Sequence, residues 1–357
     1  MKRRIIVHIG MHKTGSSSIQ QTLHTGLADP AFEYADLDKP NHSQGVYSLF
    51  CDSPETYHAH RKRGWGEEEI EQFNAATRER VLQGFKGCKA PTVVISGEGI
   101  CHLEKAELIQ FRDFLADYFT EIEVVGYVRP PGSFMESMFQ QRVKGSLNRL
   151  NAKSLYPKYQ KKLGKFDMVF GPQNVHLWKF DPKSFPSGDV VLDFCCRLGI
   201  DMHPRAVRRV NEALSKEALS VLFAYRKFGP GYGVGPDAIP DNHRLAMALR
   251  AITGGKIRLA PDVVRRVLDT KREDIQWMEE RLGESLAESL QESDDDVRSE
   301  ADLLCIHPST VEALKGLVGE EFLPEGINGE TPQEVARLVH ALRVKLAEEA
   351  KPKGNGE

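Results

Sequence analysis

Short apolar runs alternate with longer segments of mixed polarity along the first half of the chain. The apolar runs are rich in β-branched residues, end at Gly, Pro or a polar residue, and lie at 4–9, 91–96, 121–128 and 173–180. Runs of this length and composition are typical of buried strands. Helical patterns lie between them, at 15–25, 67–86, 104–119 and 132–144. This alternation predicts an α/β fold of three layers, in which helices flank a central parallel sheet on both faces.

The second half of the chain has a different pattern. Helical periodicity dominates there, at 189–198, 212–227, 242–251, 261–289 and 331–349. The Gly- and Pro-rich residues 229–240 predict a loop that could act as a lid, and we expect loops over 30–66 as well. We therefore expect a core at 1–230, a mainly helical C-terminal extension packed on it at 231–350, and a disordered tail at 351–357.

Polar clusters follow three of the predicted strands, at 10–18, 96–102 and 129–137. The carboxyl ends of parallel strands meet at one edge of a sheet, and ligands bind beyond that edge. We therefore expect the three clusters to form one site.

The first cluster reads GMHKTGSSS and joins a predicted strand to a predicted helix. Its glycines permit close approach to an anion, the lysine adds a cation, and the hydroxyls and helix amides can donate to oxygens. It is not a Walker A motif, because that motif places the lysine directly after the second glycine. No strand ending in a magnesium-binding Asp is evident either. Residues expected to contact the anion are Gly10, His12, Lys13, Thr14, Gly15, Ser16, Ser17 and Ser18.

Residues 5–20, IIVHIGMHKTGSSSIQ, resemble the 5′-phosphosulfate loop of sulfotransferases that use 3′-phosphoadenosine 5′-phosphosulfate (PAPS). Residues 129–137, RPPGSFMES, match a second signature of that family, an Arg at a strand end with a Ser eight residues later. The resemblance extends more weakly through 178–181, 193–200 and 209–212, and so covers about 4–230. It implies a P-loop-like core, PAPS as co-substrate and PAP as product, with Arg129 and Ser137 on the 3′-phosphate.

Sulfuryl transfer requires a cation at the departing oxygen and a base for the acceptor's proton. Lys13 is the candidate cation. Glu98 is the leading candidate base, because it follows the second predicted strand and the resemblance implies a glutamate base in glycosaminoglycan-type enzymes. His102 is the alternative base. The structural alternatives are a turn carboxylate for Glu98 and a satisfied helix histidine for His102.

Charge is unevenly distributed, although the totals of 48 basic and 51 acidic residues give a net charge of only −3. Residues 137–166 contain no acidic residue and eight basic ones. This stretch is either a solvated basic face or a funnel for an anionic nucleotide or glycan. Tyr156, Tyr159 and Phe166 lie within it and could stack on sugar rings. No recognition-helix or RNP-type motif accompanies the charge, so we do not expect a nucleic-acid partner.

Targeting and metal signals are weak. The apolar stretch after the N-terminal basic residues is too short for a signal peptide, and no run could span a bilayer. Six cysteines without a C-x-x-C pair indicate a reduced, cytoplasmic protein, and no metal site is expected.

We therefore expect a PAPS-dependent sulfotransferase acting on a hydroxyl of a small molecule or glycan, favouring a carbohydrate. The alternatives are a nucleotide-dependent phosphotransferase and a non-catalytic nucleotide-binding interaction module. The oligomeric state stays open.

Overall fold

A five-stranded parallel sheet forms the centre of the protein. The computed structural model describes residues 3–210 and 213–351. The strands are β1 (Arg4–His8), β2 (Phe32–Tyr34), β3 (Thr92–Ser96), β4 (Glu121–Val128) and β5 (Val175–Lys179). Their order across the sheet is β2-β3-β1-β4-β5, and every neighbouring pair is parallel. The predicted fold class is confirmed.

Helices cover both faces of the sheet because side chains alternate along each strand. Ile5 and Val7 of β1 belong to one large hydrophobic cluster, whereas Ile6 belongs to a second cluster on the opposite face. The first cluster contains side chains of helices α2 (Ser43–Phe50), α4 (Glu67–Gly87), α5 (Lys105–Ala116), α6 (Pro131–Gly145) and α7 (Tyr159–Phe170). The second contains side chains of α1 (Ser16–Gly26) and α8 (Val190–Leu198).

The C-terminal part of the described chain is mainly helical. Its helices are α9 (Lys216–Phe228), α10 (Ala238–Leu249), α11 (Pro261–Leu268), α12 (Arg272–Leu282), α13 (Glu300–Leu304), α14 (Pro308–Val318) and α15 (Pro332–Glu349). Helix α15 packs along α9, where Arg343 Nη1 donates to the hydroxyl of Tyr225 at 3.2 Å. The large hydrophobic cluster runs from Ile5 to Leu342 and so includes residues of both halves. The predicted tail beyond Lys351 lies outside the described residues.

Two segments differ from their predicted structure. Residues 30–66 contain β2, α2 and the short helix α3 (His58–Arg63) instead of continuous loop, and a three-residue edge strand is too short to show alternation. The helix predicted at 261–289 is broken into α11 and α12 by a 3₁₀ turn at Asp269–Lys271, and α12 ends at Leu282. In the described part of the chain, no helix combines the length and apolar character needed to cross a bilayer.

Candidate functional site

The loop between β1 and α1 runs past the carboxyl edge of the sheet in a conformation that depends on glycine. Gly15 has φ of 80°, which L side chains rarely adopt. A Cβ added there would lie 2.5 Å from Cγ1 of Val190 on α8. The loop can therefore approach α8 closely and begin α1 at Ser16 only because residue 15 has no side chain.

A cavity of about 450 Å³ opens beside this loop. Its wall contains most of the residues expected to form the site, which are His12, Lys13, Gly15, Ser16, Ser17, Ser18, Glu98, Arg129 and Ser137. Three strand ends supply them, since β1 leads into the loop, β3 leads to Glu98 and β4 leads to Arg129. The three polar clusters of the sequence thus meet in one cavity.

Three of the expected residues do not line this cavity. Thr14 is fully buried, and its hydroxyl donates to the carbonyl of Met11 at 2.7 Å. This corrects the expectation that its hydroxyl contacts the anion, because that hydroxyl instead fixes the shape of the loop. Gly10 is buried beneath the loop with φ of 91°, where an added Cβ would lie 3.1 Å from Cγ of Glu98. His102 is the third expected residue that does not line the cavity.

Lys13 and Arg129 place two cations on the same wall. Nζ of Lys13 donates to Oε1 of Gln141 on α6 at 3.4 Å. Nη1 of Arg129 donates to the backbone carbonyl of Lys13 at 2.5 Å, and its guanidinium lies 5.4 Å from the centre of the Phe180 ring. Burial lowers the pKa of Arg129, and the nearby Glu288 opposes that shift. The two cations are therefore joined through the loop backbone.

A carboxylate from the C-terminal half already occupies the amino end of α6. The oxygens of Glu288 accept from the backbone amide of Gly132 at 2.7 Å and from that of Ser133 at 3.1 and 3.2 Å. These amides would otherwise be open donors for an anion. An anion beside α6 would therefore contact the side chains of Arg129, before the helix, and Ser137, which lies about one turn after Ser133.

Glu98 is held in a defined orientation by three neutral donors. Its Oε2 accepts from Nε2 of Gln20 at 3.1 Å, from Nδ2 of Asn41 at 3.1 Å and from the hydroxyl of Ser43 at 3.2 Å. In the described residues no hydrogen-bond donor is recorded on Oε1. One carboxylate oxygen is thus used for positioning, while the other has no such partner in the described part of the chain.

A hydrogen-bonded chain supports Glu98 from below. Nδ1 of the buried His8 lies 2.7 Å from the hydroxyl of Ser96, and that hydroxyl accepts from the same Gln20 amide at 3.2 Å. Burial lowers the pKa of His8 to about 4, against the opposing effect of Glu98, so this histidine is neutral near pH 7. His8 therefore has a structural role, because it links β1 to Ser96 of β3 and, through Gln20, to the candidate base.

His12 and His102 form a pair of uncharged rings beside the cavity. Their ring centres are 5.2 Å apart. Burial, followed by Lys162, His58 and Lys13, lowers the pKa of His12 to about 3. His102 stays open to solvent on one side, yet desolvation, His12 and Lys162 also lower its pKa. A histidine with a lowered pKa is a weak proton acceptor, which makes His102 the poorer candidate base.

The aromatic residues of the basic stretch do not face a ligand. Tyr159 and Phe166 are fully buried and Tyr156 is 3% exposed, so the expectation that these rings stack on sugars was wrong. They pack inward because the stretch forms α7 and the segment before it. Lys165 is buried as well, and its ammonium donates to the carbonyl of Leu103. Arg149, Lys153, Lys158 and Lys161 are exposed, so part of the stretch is a solvated basic face, whereas its aromatic rings form no platform.

Several residues of the cavity were not expected from the sequence. Gln140, Gln141, Phe180, Val210 and Ala213 line it, and Asn41 lines it beside Glu98. Asn41 and Ser43 come from the segment expected to be irregular, where no periodicity indicated which side chains face inward. Asn211 and Glu212, part of the weaker resemblance, lie outside the described residues. Among the residues that the structure describes, no group of three or more His, Cys, Asp or Glu side chains could hold a metal ion.

Comparison with known proteins gives limited similarity. No protein-family model matches the chain. An uncharacterised protein of Archaeoglobus fulgidus is 32% identical over 136 residues, which are 38% of this chain and 37% of the length of that relative.

Two solved structures are similar in part. A sulfotransferase from Alicyclobacillus acidocaldarius has a TM-score of 0.37 and 16% identity, and the match covers 63% of this chain and 93% of that one. The sulfotransferase domain of the Synechococcus PCC 7002 olefin synthase has a TM-score of 0.30 and 13% identity, with 76% and 94% covered. Because both TM-scores are below 0.5, we base the proposed function on the cavity residues.

Proposed function

We propose that this protein is a sulfotransferase that moves the sulfuryl group of PAPS to an acceptor hydroxyl. The observation that carries the proposal is the meeting of the 12–18 loop, Glu98, Arg129 and Ser137 around one cavity of about 450 Å³ at the carboxyl edge of the sheet. That set combines an anion-binding turn, two cations and a carboxylate base. Transfer of a sulfuryl group from an anionic nucleotide to a hydroxyl needs all three, because the donor must be bound, the departing oxygen must be stabilised and the hydroxyl must lose its proton.

The donor nucleotide would bind between the loop and the start of α6. Lys13 and the hydroxyls of Ser16, Ser17 and Ser18 would hold the 5′-phosphosulfate, because they line the cavity beside the amino end of α1. Arg129 and Ser137 would hold the 3′-phosphate, a group that a guanidinium and a hydroxyl bind well. The carboxylate of Glu288 leaves no open backbone amides at Gly132 and Ser133 for this role.

Glu98 would accept the proton of the acceptor hydroxyl while the acceptor oxygen bonds to sulfur and the bond from sulfur to the bridging oxygen breaks. Negative charge then develops on the bridging oxygen, and Lys13 would stabilise it electrostatically. Glu98 suits its part because Gln20, Asn41 and Ser43 fix one of its oxygens. These donors pre-organise the base, so little reorganisation is needed when the proton moves.

A carbohydrate hydroxyl is the acceptor that we favour. The cavity wall contains the amide side chains of Asn41 and Gln141, which contact the proposed base and cation, whereas the amide of Gln140 is hydrogen-bonded to the backbone of Leu214. Amides form the paired donor and acceptor contacts that sugar hydroxyls require. Phe180 supplies an aromatic ring in the same wall, next to Arg129.

A thermal-shift panel separates this function from its rivals. Stabilisation by PAP without magnesium is the expected result, because the proposed contacts to the nucleotide come from protein side chains. If only ATP with magnesium stabilised the protein, and PAP did not, the result would instead indicate a phosphotransferase. A protein that responds to neither nucleotide would be an interaction module, and the sulfotransferase proposal would then be abandoned.

A further inference from the structure

The three donors to Glu98 differ in how easily water could replace them. Gln20 is only 2% exposed, whereas Asn41 is exposed and Ser43 is partly buried. Water takes the place of an exposed donor that is removed, so little is lost, but it cannot reach the place of a buried one. The orientation of the Glu98 carboxylate therefore depends most on Gln20.

The amide of Gln20 has one favourable orientation. Its Nε2 donates to Oε2 of Glu98 at 3.1 Å and to the hydroxyl oxygen of Ser96 at 3.2 Å, which uses both of its hydrogens. If the amide turned over, its carbonyl oxygen would face the carboxylate, and two acceptors at that distance repel each other. The Ser96 hydroxyl is itself held, because it lies 2.7 Å from Nδ1 of the buried His8.

Helix α1 connects Gln20 to the anion-binding loop. The helix begins at Ser16, directly after the loop, and Gln20 follows four residues later, a rise of about 6 Å. Ile19 and Leu23 of the same helix are 0% and 1% exposed and belong to the hydrophobic cluster on one face of the sheet. One packed helix thus carries both the end of the loop and the donor that orients Glu98, so it fixes the distance between them.

We propose that Gln20 is a positioning residue for sulfuryl transfer, which holds the Glu98 carboxylate where it can accept the proton of the acceptor hydroxyl. This inference rests on the proposed sulfotransferase function, because that function makes Glu98 the base. Gln20 is not among the residues that line the cavity, so it does not bind the nucleotide or the acceptor itself. Its effect on the reaction passes through Glu98.

Replacing Gln20 by Met tests this role, because Met has a similar length and volume but no hydrogen-bond donor. We expect kcat for transfer from PAPS to an acceptor found by screening to fall about tenfold, since a small displacement of a reacting group slows the reaction strongly. The KM for PAPS and the affinity for PAP should stay within about twofold of those of the unmodified enzyme. A loss confined to kcat distinguishes positioning from damage to the nucleotide site.

A double-mutant cycle shows whether Gln20 acts through Glu98. In the Glu98→Gln background the base is absent and its orientation no longer matters. Gln20→Met should therefore change the residual rate in that background by less than about twofold, measured with labelled PAPS in single-turnover reactions. A residue that merely stabilises α1 would lower the rate by the same factor in both backgrounds.

Gln21→Met is the matched control, because it makes the same change at the next position of α1. That position points about 100° away around the helix. Within residues 3–210 and 213–351, the side chain of Gln21 makes no hydrogen bond to another residue. Gln21→Met should leave kcat and KM unchanged.

Ser96→Ala keeps the inference testable if Gln20→Met folds poorly. It removes the hydroxyl oxygen to which the Gln20 amide donates and leaves the contact from Gln20 to Glu98 in place. We expect a smaller loss of kcat, about twofold to fivefold, that also disappears in the Glu98→Gln background.

The outcomes separate this inference from the proposed function. Unchanged kcat in Gln20→Met, an equal loss in both backgrounds, or an equal loss in Gln21→Met would overturn the inference. In each case sulfuryl transfer by the unmodified enzyme would persist and the sulfotransferase proposal would stand. If the unmodified protein neither bound PAP nor transferred a sulfuryl group, the proposed function would be refuted and the inference would fall with it.

Discussion

Replacing Glu98 by Gln tests the proposed base with little disturbance of the fold. Gln has nearly the same shape, and its carbonyl oxygen can take the place of Oε2 as the acceptor for Gln20, Asn41 and Ser43. The amide nitrogen then stands at the Oε1 position, where it cannot accept a proton. The change therefore removes basicity and keeps the hydrogen-bond pattern.

The magnitudes follow from those three contacts. A hydrogen bond to a charged acceptor contributes about 1.5–3 kcal/mol and a neutral one about 0.5–1.5 kcal/mol. Because Glu98 is partly exposed and water replaces part of the loss, we expect the free energy of unfolding to fall by about 1–2 kcal/mol. Loss of a general base lowers the rate about 10²- to 10⁴-fold. The effect on turnover should thus greatly exceed the effect on stability.

The assay follows transfer of labelled sulfuryl groups from PAPS to an acceptor found by screening, together with PAP affinity and urea denaturation. Glu98→Gln should lower kcat by at least 100-fold and keep PAP affinity within about threefold. Glu98→Asp keeps a carboxylate but shortens the side chain by one methylene. Its kcat should therefore lie between those of the unmodified enzyme and Glu98→Gln. His102→Gln serves as the parallel arm and should leave kcat within a few-fold of the unmodified enzyme.

Two results would refute the reasoning. Full turnover by Glu98→Gln would show that Glu98 is not the base, and a loss by His102→Gln of the same size would transfer that role to His102. A large loss of PAP affinity in Glu98→Gln, with stability unchanged, would mean that Glu98 shapes the nucleotide site instead.

Three further predictions concern the nucleotide site and the core. Arg129→Gln should weaken PAP binding about 10- to 100-fold in calorimetry and leave 5′-AMP within about twofold; equal losses would contradict a 3′-phosphate contact. Gly15→Ala should cost about 2–4 kcal/mol in urea denaturation, from its positive φ and the contact with Val190. His8 and His42 have pKa values lowered by burial to about 4 and about 3, from 6.5. The folded state therefore resists their protonation, and their stabilisation is complete above about pH 6.5 and lost below it. These two histidines should make unfolding about 3–4 kcal/mol easier between pH 7 and 5, the similarly shifted His12 adds to that loss, and a flat profile would contradict this.

The sequence predicted the central sheet well because its inner strands are buried on both faces. The runs at 4–9, 91–96 and 121–128 are continuous and apolar, and each matches a strand within one or two residues. The edge strand β2 escaped prediction because three residues carry no detectable period. The break between α11 and α12 escaped it because Leu268 and Ile275, on its two sides, are seven residues apart and so keep helical spacing, although residues 269–274 between them are all polar.

The sequence by itself determined which polar clusters would meet. In a parallel sheet every strand ends at the same edge, so Lys13, Glu98 and Arg129 had to approach one another once their strands were recognised. Only the tertiary structure decided how each side chain is used. Glu98 accepts hydrogen bonds from Gln20, Asn41 and Ser43, Glu288 fills the amino end of α6, and Arg129 donates to the carbonyl of Lys13. These contacts join residues far apart in the chain, and packing geometry, which no local pattern encodes, determines them.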